Sequence, residues 1–339
     1  MAQYGTDGAR EALYINTQAA IGTHVAATQG SENAIECTEI GDVEFVGDPD
    51  IIRDDEPRAV LGGAPMLRGG YSVKLPFTTY LKHWGDTSDE EGHELSAFFA
   101  ACPIVISPGA SDGDDLTLDP SPAWTPTAGT ADPVGPCEVC SFTYAEESGY
   151  EWKVKDCTGR VVEMVVDDGG KPIMLKCELM GILVSESNST SLTMTDVTYD
   201  SQAKINFAGF TYTHNLAGTP YGVSAWTFDP QMVLERMPDG TGTNGSIVPF
   251  AGHKGNCILK HNVNATQAID AYTEWSAAAE ESRYFATDNT GNPAFSLELK
   301  NAALARPERS TAGQVRKFDF TLRGTSTATG NDHWQITFS

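Results

Sequence analysis

Gly69-Gly70-Tyr71-Ser72-Val73-Lys74-Leu75-Pro76-Phe77-Thr78-Thr79-Tyr80-Leu81 is the stretch on which the fold turns. Tyr71, Val73, Leu75 and Phe77 share one parity, and Ser72, Lys74, Pro76 and Thr78 the other, the period-two pattern of a strand with one face buried. The reading is a long sheet strand. Pro76 marks a bulge or a place at the sheet edge, because proline cannot donate into a ladder. Upstream lie a charged loop start from Arg53 to Arg58 and a glycine turn at Gly62 and Gly63. Downstream, after Gly85-Asp86, Ser88-Asp89-Glu90-Glu91 has the spacing of a capping box. Leu95, Phe98, Phe99 and Cys102 then fall at i, i+3, i+4 and i+7, which predicts a short helix lying on a sheet and ended by Pro103.

The chain has 339 residues, enough for one large domain or two ordinary ones, and its 40% hydrophobic content excludes a wholly disordered polymer. Lysine and arginine number 22 against 46 aspartates and glutamates, a formal net charge of -24. Such a surface repels nucleic acid, which excludes gripping phosphates but not a wall past which DNA slides. No run is apolar and long enough for a membrane span, and the polar start Ala2-Gln3-Tyr4-Gly5-Thr6-Asp7 does not read as a signal peptide. Assembly in a cytoplasm, with no membrane partner, is the expectation. Seven cysteines scattered over a long chain do not form a disulfide framework.

Residues 1–34 are expected to be an N-terminal arm, polar and small apart from Leu13, Tyr14 and Ile15, that orders on a partner. A first β unit spans 35–198. It holds a strand region from Ile35 to Val46, the long loop Gly47 to Gly70, and a proline-rich segment from Pro103 to Pro136. An antiparallel meander follows, Cys140 to Ala145, Tyr150 to Asp156, Arg160 to Val166 and Pro172 to Val184. Its separators, Ser148-Gly149, Thr158-Gly159 and Asp167-Asp168-Gly169-Gly170, are hairpin signals. A second β unit spans 199–339. Its expected strands are Ala225 to Phe228, Met232 to Arg236, Asn256 to Asn262, Ala294 to Lys300, Val315 to Arg323 and His333 to Phe338. Its glycine-rich loop carries Gly240, Gly242 and Gly245, and its helix runs from a Thr266 cap through Ala279. The two units run in the same order, and Asp48-Pro49-Asp50-Ile51-Ile52-Arg53 resembles Asp229 to Arg236, which suggests a duplication.

Candidate chemistry fails on spacing. His93-Glu94 opens a zinc-protease motif, but Ala97 stands where the second histidine belongs. Cys137 and Cys140 form a C-x-x-C pair with no second close pair, so Cys140, Cys157 and Cys177 read as buried strand cysteines rather than zinc ligands. Asp112, Asp114 and Asp115 lack the calcium-loop spacing. The chain has no nucleophile elbow, phosphate loop or dinucleotide fingerprint. No catalytic, cofactor-binding or metal residue is assigned, no cofactor is expected, and the chain is not read as an enzyme.

The order of features resembles the tail tube (major tail) proteins of long, non-contractile-tailed bacteriophages. The likeness is carried by Arg53 to Arg58 with Leu61-Gly62-Gly63 and Pro65, the strand Tyr71 to Leu81 and the helix Leu95 to Cys102. It continues through Pro120 to Pro126, then Asp156-Cys157-Thr158-Gly159-Arg160-Val161-Val162, Gly169-Gly170-Lys171-Pro172 and Leu175 to Gly181. It covers the first half of the chain well and the second loosely. The resemblance implies a mainly β tail-tube fold, packed antiparallel sheets with flanking short helices; the duplication favours two such units in one chain over one elaborated unit. It implies a structural protein of the virion, assembled in the host cytoplasm, whose copies share sheets around a channel. A ring would hold three chains with pseudo-sixfold symmetry, or six, and rings would stack into a tube. Its partners would be further copies, a tape measure protein, tail-end proteins, and DNA passing an acidic lumen without specific binding.

The competing reading is a carbohydrate-binding or adhesin-like β-sandwich protein, motivated by Trp124, Trp152, Trp226 and Trp275. A hydrolase with an unrecognised carboxylate pair is the third.

Overall fold

The computed structural model describes residues 11–27, 34–47, 51–53, 66–68, 70–86, 88–89, 92–111, 115–121, 138–167, 171–188, 192, 194, 197–206, 210–213, 223–264, 271–276, 281–287, 295–312, 315–326 and 332–338. The fold is mainly β and antiparallel. The first half contributes β1 (Glu11–Thr17), β2 (Ala34–Ile35), β3 (Cys37–Ile40), β4 (Glu44–Gly47), β5 (Ile51–Arg53), β6 (Met66–Arg68) and β7 (Tyr71–Tyr80). Helix α1 (Ser96–Ala100), β8 (Ile104–Ser107), β9 (Leu116–Pro120), β10 (Cys140–Glu146), β11 (Glu151–Val166) and β12 (Met174–Ser187) follow. The second half contributes β13 (Phe210–Thr213), β14 (Val223–Asp229), β15 (Met232–Thr243), β16 (Ser246–His253) and β17 (Ile258–Asn264). Helix α2 (Ala271–Ser276) precedes β18 (Glu281–Thr287), β19 (Ser296–Leu304), β20 (Glu308–Ala312), β21 (Val315–Gly324) and β22 (Gln335–Phe338).

Strand β7 is the amphipathic strand the alternation predicts, with Tyr71, Val73, Leu75 and Phe77 buried. It is not an edge strand. β12 pairs along one side, Glu178 opposite Pro76, and β3 and β4 pair along the other. Pro76 is tolerated because it faces the break between β3 and β4, where its carbonyl accepts from the Gly41 N–H at 2.9 Å.

Helix α1 is shorter than the capping pattern suggests. It spans five residues, begins after Leu95 and has no side-chain cap. The Ser88 hydroxyl bonds instead to Asp86 Oδ1 at 2.6 Å, closing a local turn. The expected apolar stripe holds: Leu95, Phe98, Phe99 and Cys102 are buried, and α1 packs over β1, β10 and β11.

Thr158-Gly159 is not a turn. β11 runs unbroken through it for 16 residues and pairs with β12 from Glu151 to Val165, with three register shifts. Gly159 serves close packing instead: a Cβ there would sit 2.8 Å from Phe98 Cε2, and its N–H donates to the Ala101 carbonyl at 2.9 Å. The irregularity lies at Asp156, whose φ is 53° and where the register with both neighbours shifts. The side chains of Gln18 and Asp156 hold that bulge. Gln18 Oε1 accepts from the Asp156 N–H at 2.6 Å, and Asp156 Oδ1 accepts from Gln18 Nε2 at 3.1 Å and from the Gly22 N–H at 2.6 Å.

Residues 11–17, expected in an arm that orders on a partner, form β1 within the chain's own sheet. β1 pairs along its length with β10 and at Leu13 and Tyr14 with β2, burying Ala12 to Ile15. A short apolar patch flanked by polar residues is sufficient because the partner strand is already built. The rest of the expected arm, 1–10 and 28–33, lies outside the described residues.

The expected glycine-rich loop at Gly240 to Gly245 is a hairpin, β15 with β16, turned by Asn244 (φ 53°) and Gly245 (φ 67°), the left-handed pair a two-residue connection requires. This hairpin and β5–β6 are two-stranded sheets of their own. Ile51 to Arg53 and Met232 to Arg236, the two similar stretches, lie on them. Of the expected second helix, α2 alone is described, and its Tyr272 and Trp275 face solvent rather than a core. Thr266 and Ala279 lie outside the described residues.

Strand pairing crosses the expected boundary at 198/199. β11 pairs with β14 through Met164 opposite Phe228, and β9 pairs with β22 through Leu118 opposite Ile336. One buried core joins the halves, with Trp84 against Phe338 at 5.3 Å between ring centres.

Candidate functional site

Two features stand out from the packed sheets: a polar cluster around a buried ion pair beside a cavity, and two of the sheet's margins.

The cluster forms where the chain leaves β7 and enters α1. Lys82 Nζ lies 2.8 Å from Glu94 Oε2, 3.2 Å from Glu36 Oε2 and 2.9 Å from the Asp200 carbonyl. Burial lowers the Lys82 pKa, but the hydrogen bond and charge of Glu94, then of Glu36, outweigh it and hold the ammonium above its ordinary value. Burial pushes Glu94 up to about 7, with Lys82 offsetting only part. Glu36, also hydrogen-bonded to Lys204 at 2.8 Å, is opposed by burial, but the two lysines hold it below the ordinary carboxylate value.

His93 stacks on Trp84 with 5.0 Å between ring centres. Its Nδ1 accepts from the Leu95 N–H at 2.9 Å, so Nε2 carries the proton and donates to the Lys82 carbonyl at 3.1 Å. Burial takes its pKa down to about 4. A cavity of about 520 Å³ adjoins the cluster, lined by Ile15, Asn16, Val25, Ala97, Asp200 and Gln202 among others. His93 and Glu94 also line this cavity; the Glu94 side chain has no solvent exposure, and its Oε1 has no hydrogen-bond partner among the described residues. With both imidazole nitrogens hydrogen-bonded and Glu94 paired to Lys82, this arrangement fixes the entry to α1. His93-Glu94 therefore has a structural use that its failed metal spacing left unassigned.

The cysteines behave as packing groups. Cys140, Cys157 and Cys177 are buried on strands, and among the described residues no group of three or more histidine, cysteine, aspartate or glutamate side chains could hold a metal ion. Cys137 and the aspartates 112 and 114 lie outside the described residues. Of the tryptophans proposed as sugar platforms, Trp152 and Trp226 are buried, Trp275 is exposed, and Trp124 lies outside the described residues.

The margins come from the pairing order. Residue by residue, hydrogen bonding runs β4–β7–β12–β11–β14–β17–β21–β20. Among the described residues, β4 has no strand partner beyond β7, and β20 none beyond β21. The β3–β4 margin exposes Glu39, Asp42 and Glu44 beside Phe45. Phe45 is 42% exposed, its ring 5.2 Å from that of Tyr71. The β20 margin exposes Arg306 and Arg309 with Glu308. The Arg309 guanidinium lies over the rings of Phe318 and Tyr272, 5.4 and 5.7 Å from their centres, and Tyr272 and Trp275 of α2 are exposed nearby. β4 falls within the expected strand region Ile35 to Val46, but nothing in that region marked an unpaired margin, and β20 was not among the expected strands.

Comparison with protein-family models and with curated proteins gives no match. Among the described residues no helix is long and apolar enough to cross a membrane.

Proposed function

We propose that this chain is a structural subunit that joins copies of itself, margin to margin, into closed rings that stack as the hollow tail tube of a long-tailed bacteriophage. The observation that carries the reading is a pair of open margins: among the described residues one run of hydrogen-bonded strands begins at β4 and ends at β20, and it offers an acidic aromatic margin at one end and an arginine-bearing aromatic margin at the other. Unpaired strand margins invite further strands, and two different margins give a head-to-tail contact that repeats until the rotation closes. A net charge of -24 suits a bore past which DNA slides without counterion-releasing contacts. The two separate two-stranded sheets, β5–β6 and β15–β16, whose first strands lie in similar sequences, favour two units per chain and hence three chains per ring. A tape measure protein and tail-end proteins are the partners this role requires.

The test uses one block at each margin. Phe45→Glu blocks the β4 margin and Arg309→Glu the β20 margin. Each variant alone stays monomeric by analytical ultracentrifugation, while an equal mixture forms heterodimers and nothing larger, because one intact pair of margins remains. Full-size assembly by either variant would refute the margin contact.

A further inference from the structure

We infer that Cys140 and Cys157 are a modification site: a cross-strand thiol pair that closes to a disulfide when a peroxide reaches it. The two residues are directly opposed in the β10–β11 ladder, and both are fully buried. Opposed residues of an antiparallel pair have Cα atoms about 4.5–5.5 Å apart, inside the range a disulfide spans without backbone movement. No other two described cysteines are opposed in a ladder: Cys37 and Cys177 sit on either side of β7, opposite Thr79 and Phe77, Cys257 contacts the carbonyls of Gly324 and His333, and Cys102 lies off the strands just after α1.

The bulge beside the pair supplies the second observation. Asp156, immediately before Cys157, holds a left-handed backbone, and Gln18 and Gly22 clamp it. Non-glycine residues held in that region cost free energy and persist where surrounding structure over-determines them. Here the bulge shifts the register between Lys155 and Thr158, and in that shifted ladder Cys157 faces Cys140. Burial, then the neighbouring Cys140, raises the Cys157 pKa well above its ordinary value, and a backbone contact with Phe142 offsets only part.

The chemistry balances with one molecule of hydrogen peroxide. The Cys157 thiolate attacks one peroxide oxygen, the O–O bond breaks, and the departing hydroxide leaves as water with the proton released by Cys157. Cys140 Sγ then attacks the sulfenic sulfur. The S–O bond breaks, a second water leaves with the Cys140 proton, and the S–S bond forms. Two electrons pass from the two sulfurs to the peroxide.

The test treats the reduced full-length protein with peroxide, both natively and in urea below its unfolding midpoint. Excess oxidant is removed, the protein is denatured, free thiols are alkylated and peptides are mapped with and without dithiothreitol. In at least one condition Cys140 and Cys157 lose label together, their peptides migrate as one, the link reverses on reduction, and the oxidised protein unfolds at higher urea. Cys157→Ser lacks the link, although the map of the unsubstituted chain decides by itself. Full labelling of both thiols in both conditions, a bond from Cys140 to Cys137, or links between chains only, would overturn the inference.

Discussion

Lys82 Nζ and Glu94 Oε2 sit 2.8 Å apart with both side chains sealed from solvent, one on the segment leaving β7 and the other on the turn entering α1. The pair joins the long strand to the helix that covers its sheet. Lys82 to Met therefore destabilises the fold by about 3–5 kcal/mol at pH 8, the cost of a buried charge left without its partner. The loss is smaller at pH 6, where Glu94 takes up a proton. Combining Lys82→Met with Glu94→Leu recovers much of the loss, because no isolated charge remains. Urea unfolding of the single and double variants at the two pH values measures this.

The same cluster gives two opposed pH dependences. His93 has a folded pKa of about 4 against an ordinary 6.5, so between these values the unfolded chain binds a proton the native state refuses. Stability falls as pH drops through that window, by roughly 3 kcal/mol. Glu94 has the reverse sign. Its folded value of about 7 exceeds the ordinary 4.5, so its contribution is present below 4.5 and lost as pH rises through 7. His93→Gln flattens the acid limb and Glu94→Gln flattens the limb between 4.5 and 7. Unfolding free energy measured across pH 4 to 8 separates them.

Gly159 to Ala places a methyl group 2.8 Å from Phe98 Cε2 and 3.1 Å from Cys102 Sγ, inside a packed core. Overpacking of this kind costs about 1–3 kcal/mol, and it acts by lifting α1 off β11. The urea midpoint falls, and Phe98→Leu in the same chain restores part of the loss by making room.

These contacts show what the sequence could reveal. The alternation Tyr71 to Phe77 and the stripe Leu95 to Cys102 were legible because each records a face pressed against a core, and both faces are buried. Gly159 misled because a glycine required for close approach looks, in sequence, like a glycine required for a turn. Asn244-Gly245 carried the opposite lesson: the strongest two-residue hairpin signal was present, among other glycines that suggested a loop. β1 was hidden because Leu13 to Ile15 are few and their partner, β10, lies more than a hundred residues away. The polar cluster was illegible for the same reason, since Glu36, Lys82, Glu94 and Asp200 meet only through the fold. The margins have no local signature, because they are defined by strands that do not pair.

The most direct test of the central claim is negative-stain electron microscopy of the purified full-length chain across a range of salt concentrations. The account predicts closed rings with a central hole, or hollow tubes of stacked rings, for the unsubstituted protein, and neither for Arg309→Glu. Monodisperse single molecules at every salt concentration would contradict it.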